Sequence, residues 1–189
     1  AVRAVKPGGA IYIGDIRNLA LLDAYHTSVQ LYQAPDSSMR EQLAQRVQQQ
    51  RSQENELLVD PAFFYALQKH LPQISHVQIE LKRGHAHNEL TRFRYEVMLR
   101  VGTEAASRPA PTWLDWQQDG FSLALLTQRL ATEQPALLGI RNIPNARLAA
   151  EVKALAWLID ERAGQVSDLR HTLRTSTHAT AIDPVALWA

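Results

Sequence analysis

The segment from Arg83 to Glu89 holds Arg83, His85, His87, Asn88 and Glu89 around a single glycine. A turn between two strands needs only turn formers such as glycine and asparagine. This one carries more ionisable groups than a reversal of direction requires. His85 and His87 are two apart, so on extended backbone they project the same way, and with Glu89 they offer the donor set of a metal site. The alternative is a long solvated hairpin loop. A second group, Asp15-Ile16-Arg17-Asn18, follows a short apolar run. Its polar members face a ligand, or else Asp15 or Asn18 caps a helix and Arg17 is a surface arginine. Other chemistries lack their residues. There is no G-x-S-x-G for a serine hydrolase, no G-x-G-x-x-G or Walker A loop for a nucleotide, and no cysteine for thiolate catalysis or a disulfide.

These groups depend on strands for their placement. Ala10 to Gly14 is a continuous apolar run of the kind found in a parallel strand covered on both faces. Val77, Ile79 and Leu81 alternate with polar residues, as do Phe93, Tyr95, Val97, Leu99 and Val101. Period two predicts two half-buried strands around the 83–89 elbow. If the strand at Val77–Leu81 lies parallel to Ala10–Gly14, their carboxyl ends share one edge, where ligands of open α/β sheets bind. Asp15, Arg17, Arg83, His85, His87, Asn88 and Glu89 would then gather on one rim.

Helices are predicted over Leu19–Gln33, with Leu22, Tyr25, Val29 and Tyr32 inward, and over Met39–Leu57 behind a serine cap. A third starts at Asp60-Pro61, with Phe63, Phe64, Leu67 and Leu71 on its apolar side. Beyond a proline-containing connector at 107–111, Trp113 and Trp116 read as hydrophobic anchors. A helix at Phe121–Glu133, a strand at Leu137–Ile140 and a helix from about Ala146, capped by Asn145, follow. That last helix is expected to bury Leu148, Val152, Leu155, Leu158 and Ile159. Leu169–Arg174 and a final short helix, opened by Asp183-Pro184 and ending at Trp188, complete the chain.

The 189 residues are 46% hydrophobic and 21% charged, enough for a core, with a net charge of +1. That balance gives no reason to expect a nucleic-acid or membrane partner, and no apolar run approaches a membrane span. The opening residues do not form a signal peptide. The first residue is not methionine, and the chain is expected to be excised from a larger, cytoplasmic polypeptide.

The stretches VKPGGAIYIGDIRN, ELLVDPAFF and ISHVQIELKRGHAHNELTRFRYEV, followed by LLGIRNIPNARL and AIDPVALWA, carry a resemblance. The chain resembles the carboxyl-terminal half of the S-adenosylmethionine-dependent methyltransferase domains embedded in nonribosomal peptide synthetases. The fold this implies is α/β: the last three strands of a class I, Rossmann-like methyltransferase sheet, mixed because its last strand is antiparallel, with a mainly helical carboxyl-terminal segment. Residues 1–106 would be the methyltransferase half and 107–189 an α/β tail packing on it.

The resemblance also implies a reaction, methyl transfer from S-adenosylmethionine to the nitrogen of a carrier-bound aminoacyl or peptidyl thioester. Similar domains methylate carbon, and a non-catalytic structural role for the isolated chain is the other alternative. In that frame Glu89 is the first choice for general base, with His87 a weaker one. Asn88 orients substrate or base, and Tyr95 opens the last strand beside them. Asp15, Arg17, Arg83 and Arg94 face the substrate, although Arg17 or Arg94 serves equally well to hold structural carboxylates. The glycine-rich cofactor loop and the ribose-binding acid of such domains are not in this sequence, so no bound cofactor and no metal are expected here. The partners implied are the amino-terminal half of the methyltransferase domain and the adjacent adenylation and carrier domains. A homodimer is also expected, through an Ala10–Gly14 edge left without its neighbouring strand.

Overall fold

The computed structural model describes residues 1–102, 111–160, 163–176 and 181–187. The chain divides into two compact units, one of Ala1–Glu104 with Arg147–Thr177 and one of Ala105–Ala146 with His178–Ala189. The chain first crosses from one unit to the other after Glu104. The second crossing, at Arg147, returns the later helices to the first unit, because they pack on its early ones.

The first unit is built on four strands in the order β2-β1-β4-β3: β1 (Ala10–Asn18), β2 (Leu58–Val59), β3 (Ile74–Leu81) and β4 (Arg94–Val101). β4 runs antiparallel to both β1 and β3, so those two are parallel to one another, the arrangement on which the shared edge depends. β4 lies at the centre because its alternation is clean. Tyr95, Val97, Leu99 and Val101 are all buried, and full burial of one such aliphatic side chain contributes about 2 kcal/mol. Ile16, Phe64, Ile74 and Val77 complete this core, and Phe64 arrives on α3 (Ala62–His70). Val97→Asp would place an unpaired charge at its middle.

β1 departs from expectation. It does not stop at Gly14 but continues to Asn18 through a bulge. Between the pairs Ile13↔Val97 and Ile16↔Tyr95, Gly14 and Asp15 stand opposite Glu96 alone. Asp15 adopts φ 65°, a left-handed conformation, and this re-aims the end of the strand. Nor is β1 covered throughout: Ala10, Tyr12 and Gly14 are exposed, Tyr12 at 60%. On the side away from β4, β2 pairs only with Arg17 and Asn18.

α1 (Leu22–Gln33), α2 (Arg40–Ser52), α6 (Ala149–Ile159) and α7 (Val166–Thr175) also belong to this unit. Ala34, Leu43 and Val166, with Leu31, Trp157 and Leu158, form their shared core. α2 ends five residues before the expected Leu57, and its start is capped by Gln42, whose side chain accepts from the Met39 N–H at 3.0 Å, not by a serine. The elbow between β3 and β4 contains a short helix, α4 (Glu89–Phe93). α6 begins at Ala149 without a cap from Asn145, and Val152 and Ile159 lie exposed where burial was expected. Its buried face holds Glu151 and Ala154 instead.

The second unit is a β–α–β arrangement. β5 (Thr112–Asp115) pairs in parallel with β6 (Leu138–Arg141), and α5 (Leu123–Glu133) connects them, capped by Ser122. Trp116 is a buried anchor, whereas Trp113 is exposed and lies against Gly139, where a Cβ would stand 2.7 Å from the indole. Trp188 lies outside the described residues.

Candidate functional site

The parallel placement of β1 and β3 brings the two polar groups to one sheet edge. Asp15 and Glu89 both meet Arg94 there. Arg94 Nη2 donates to Glu89 Oε1 at 2.9 Å, while Nη1 donates to the Asp15 carbonyl at 3.2 Å and lies 3.7 Å from its carboxylate. Arg17 reaches the same Glu89 oxygen at 3.3 Å. Both guanidiniums therefore converge on Glu89 Oε1 and fix that side chain, which remains 41% exposed.

Two carboxylates that sequence reasoning missed complete the group. Arg17 Nη1 donates to Glu54 Oε2 at 2.7 Å, and Arg94 Nη1 pairs with Glu56 Oε1 at 2.6 Å. Four carboxylates, those of Asp15, Glu54, Glu56 and Glu89, thus surround the guanidiniums of Arg17 and Arg94. Arg17 is nearly enclosed, its side chain 7% exposed and its guanidinium 4.1 Å from the centre of the Tyr25 ring. The Glu54 carboxyl is held below its ordinary range, first by the Glu56 N–H that donates to it and then by Arg17. Asp15 is likewise held low by Lys82, which donates to Oδ1 at 2.8 Å and is itself pushed up by that bond.

His26 is the third missed residue. It lies buried on α1 with Nε2 3.2 Å from Glu54 Oε2, out of line for a hydrogen bond. Arg17 Nε and Arg94 Nε are also buried without a hydrogen-bond partner. Burial, opposed by Glu54, pushes the His26 imidazole below its ordinary range, which keeps it neutral at pH 7.

The other expected residues are placed as follows. Asn88 caps α4, its Oδ1 accepting from the Thr91 N–H at 3.1 Å. His85 and His87 are exposed on the loop before it. Among the described residues no three histidines or carboxylates gather as a metal-binding group. Arg83 is exposed and pairs with Glu80 at 3.7 Å. Tyr95 is set apart from the rim in the core. Its hydroxyl donates to the Val59 carbonyl at 2.9 Å, and burial pushes its pKa up to about 12. A hydroxyl so committed pins β2 to the sheet.

A cavity lies away from the rim, between α1, α6 and α7. It is about 480 Å³ and is walled by Val29, Leu31, Ala150, Ala154 and Leu173. Its charged borders are already engaged: Arg92 with Glu151, and Arg170 with Asp36 and the carbonyls of Leu31 and Ala34. Among the described residues no helix is long and apolar enough to cross a membrane.

No protein-family model matches the chain. Chondramide synthase of Chondromyces crocatus is 44% identical over 193 aligned residues, covering 100% of this chain and 5% of that enzyme. A nonribosomal peptide synthetase of Alternaria alternata is 31% identical over 84% of the chain and 3% of the relative. Cyclosporin synthetase of Tolypocladium inflatum is 32% identical over 84% of the chain and 1% of the relative. The chain spans about one twentieth or less of these relatives' length. Over its whole length, then, the chain is related to nonribosomal peptide synthetases.

Proposed function

We propose that the chain is part of a methyltransferase domain of a nonribosomal peptide synthetase, acting on the nitrogen of a carrier-bound aminoacyl or peptidyl thioester. The observation that carries this reading is the rim: Glu89, held by Arg17 and Arg94 where β1 and β3 end and β4 begins. The antiparallel last strand beside two parallel ones agrees with the resemblance, and the kinship to synthetases supplies the setting.

S-adenosylmethionine is the methyl donor in this reading, but the described residues do not fit its binding. The carboxylates that could hold its ribose hydroxyls are engaged at the rim by Arg17, Arg94 and Lys82, and the cavity's charged groups are engaged as well. Cofactor binding is therefore assigned to other parts of the synthetase, with the rest of the methyltransferase domain and the adenylation and carrier domains as partners.

This chain's contribution is on the acceptor side. The amine must shed a proton to be methylated, and a positioned carboxylate serves that step. Glu89 takes the proton. Arg17 and Arg94 keep its Oε1 in place, leaving Oε2 to face the amine. Asn88, with its oxygen fixed by Thr91, presents its amide N–H groups beside it.

The test is Glu89→Gln in an intact synthetase containing this chain. Methylated product should fall by about 100-fold or more, with the unmethylated peptide still assembled, as read by mass spectrometry. Undiminished methylation would remove Glu89 from the reaction, and a methyl group located on carbon would turn the reading to C-methylation.

A further inference from the structure

Arg147 is 2% exposed, the least of any charged side chain among the described residues. It stands just before α6, and three backbone carbonyls accept from its guanidinium. Nη1 donates to Lys82 O at 2.8 Å and to Thr91 O at 3.4 Å, while Nη2 donates to Gly84 O at 2.7 Å. Lys82 and Gly84 lie where the loop leaves β3, and Thr91 lies on α4 where it ends. One planar group thus closes the loop on itself.

We propose that Arg147 is a positioning residue that sets where Asn88 and Glu89 stand at the rim. The inference rests on the reading of Glu89 given above. Residues 82–88 belong to no strand or helix, and Gly84 takes φ 133°, which other residues rarely adopt. Inside the loop, Thr91 Oγ1 donates to Ala86 O at 2.5 Å, and Asn88 and Thr91 cap each other. These bonds tie the loop to α4 but not to the rest of the unit. Arg147 supplies that tie, and Glu151, four residues further along, seconds it by pairing with Arg92. At the opposite side the Lys82 ammonium holds Asp15. The relay runs from α6 through Arg147 to the loop, then through Asn88 and Glu89 to Arg17 and Arg94. A guanidinium presents its donors in a fixed fork, which suits three carbonyls at set angles; a lysine ammonium concentrates its donors at one point and cannot span them.

The test compares Arg147→Lys and Arg147→Ala with wild type in the full chain. Amide hydrogen exchange is followed at Asn88, Thr91 and Arg92, and at Val97 and Leu99 in β4. The expected result is exchange about tenfold or more faster at the first three, with β4 protection retained. Guanidinium ion at a sub-denaturing concentration should restore protection in the alanine variant. Unchanged loop exchange overturns the proposal. So does parallel loss of β4 protection in both variants, which would make Arg147 a support of the whole fold. In an intact synthetase, Arg147→Lys should lower kcat for methyl transfer about tenfold with the methyl donor's KM unchanged, and guanidinium should revive Arg147→Ala. A rate loss that guanidinium does not revive counts against positioning. A wild-type synthetase that does not methylate would refute the function reading, while the exchange data would still decide the clamp.

Discussion

Two of the carboxylate–arginine nodes among the described residues have opposite character. In the second unit, Asp115 is a buried anion with a full set of donors. Gln117 N–H and Gln118 N–H reach Oδ1 at 3.1 Å, Asn142 Nδ2 reaches Oδ2 at 2.6 Å and Arg141 Nε at 3.3 Å. These bonds, led by the Gln118 N–H, hold its carboxyl low. At the rim of the first unit the buried group is a cation, Arg17, faced by the carboxylates of Glu54, Glu56 and Glu89, with its own Nε left without a hydrogen-bond partner, as is His26 Nε2. A polar node built to hold a fold closes its hydrogen bonds, as Asp115 does. One that keeps buried donors without acceptors, and charge in surplus, is arranged for something further. Completeness of satisfaction, more than burial or charge count, separates the two.

The comparison breaks most visibly at Arg17. Arg17→Ala strips the counter-charge from Glu54, which is 12% exposed, and leaves Glu56 and Glu89 to Arg94 alone. Removing one partner of a buried pair costs about 3 kcal/mol, a loss that urea unfolding would read, and methyl transfer should vanish with it. A loss near zero would mean the rim is solvated and carries no strain of charge. Asp115→Asn sharpens the contrast from the other side. It lowers the unfolding midpoint by less than Arg17→Ala does, and it leaves methylation in the intact synthetase unchanged. Equal damage to methylation would erase the distinction between the nodes.

The smallest expected effect is a slope. His26 has a folded pKa below its ordinary value of about 6.5. As pH falls below that value, the unfolded chain takes up a proton that the folded chain resists, so stability declines with acidification until the folded pKa is passed. One proton sets the ceiling, about 1.4 kcal/mol per pH unit. Stability curves between pH 7 and 5 should be shallower in His26→Gln than in wild type, and identical slopes would mean that His26 titrates alike in both states.

The strand core was legible because its pattern is a simple one: period two in β3 and β4, with directions that force Asp15 and Glu89 to one edge. The carboxylates facing Arg17 were not. Glu54 and Glu56 follow a glutamine-rich helical run, expected to continue to Leu57, that ends at Ser52, and only the alternation Glu54-Asn55-Glu56 pointed to an extended segment. α1 misled for a related reason. Its inward face is Leu22, His26, Thr27 and Gln30, polar because it abuts the rim, so a hydrophobic stripe selects Tyr32, which is 88% exposed. On α6 the buried place went to Glu151 because Arg92 needed it. Hydrophobic periodicity fails where a helix serves a charged site, and those failures themselves mark the site.

The bulge at Asp15 has a consequence for lineage. A left-handed backbone at that place is comfortable for glycine and tolerable for asparagine or aspartate, and of these only aspartate bears charge. Relief from the backbone tension by glycine therefore costs the Lys82 contact and the approach of Arg94 to the carboxylate, leaving Arg94 only the backbone carbonyl. Descendants in which the rim has fallen idle are free to drift toward the slack alternatives, while those that still use it are kept on the taut one. The residue at this single position acts as a gauge of whether the edge is still in service.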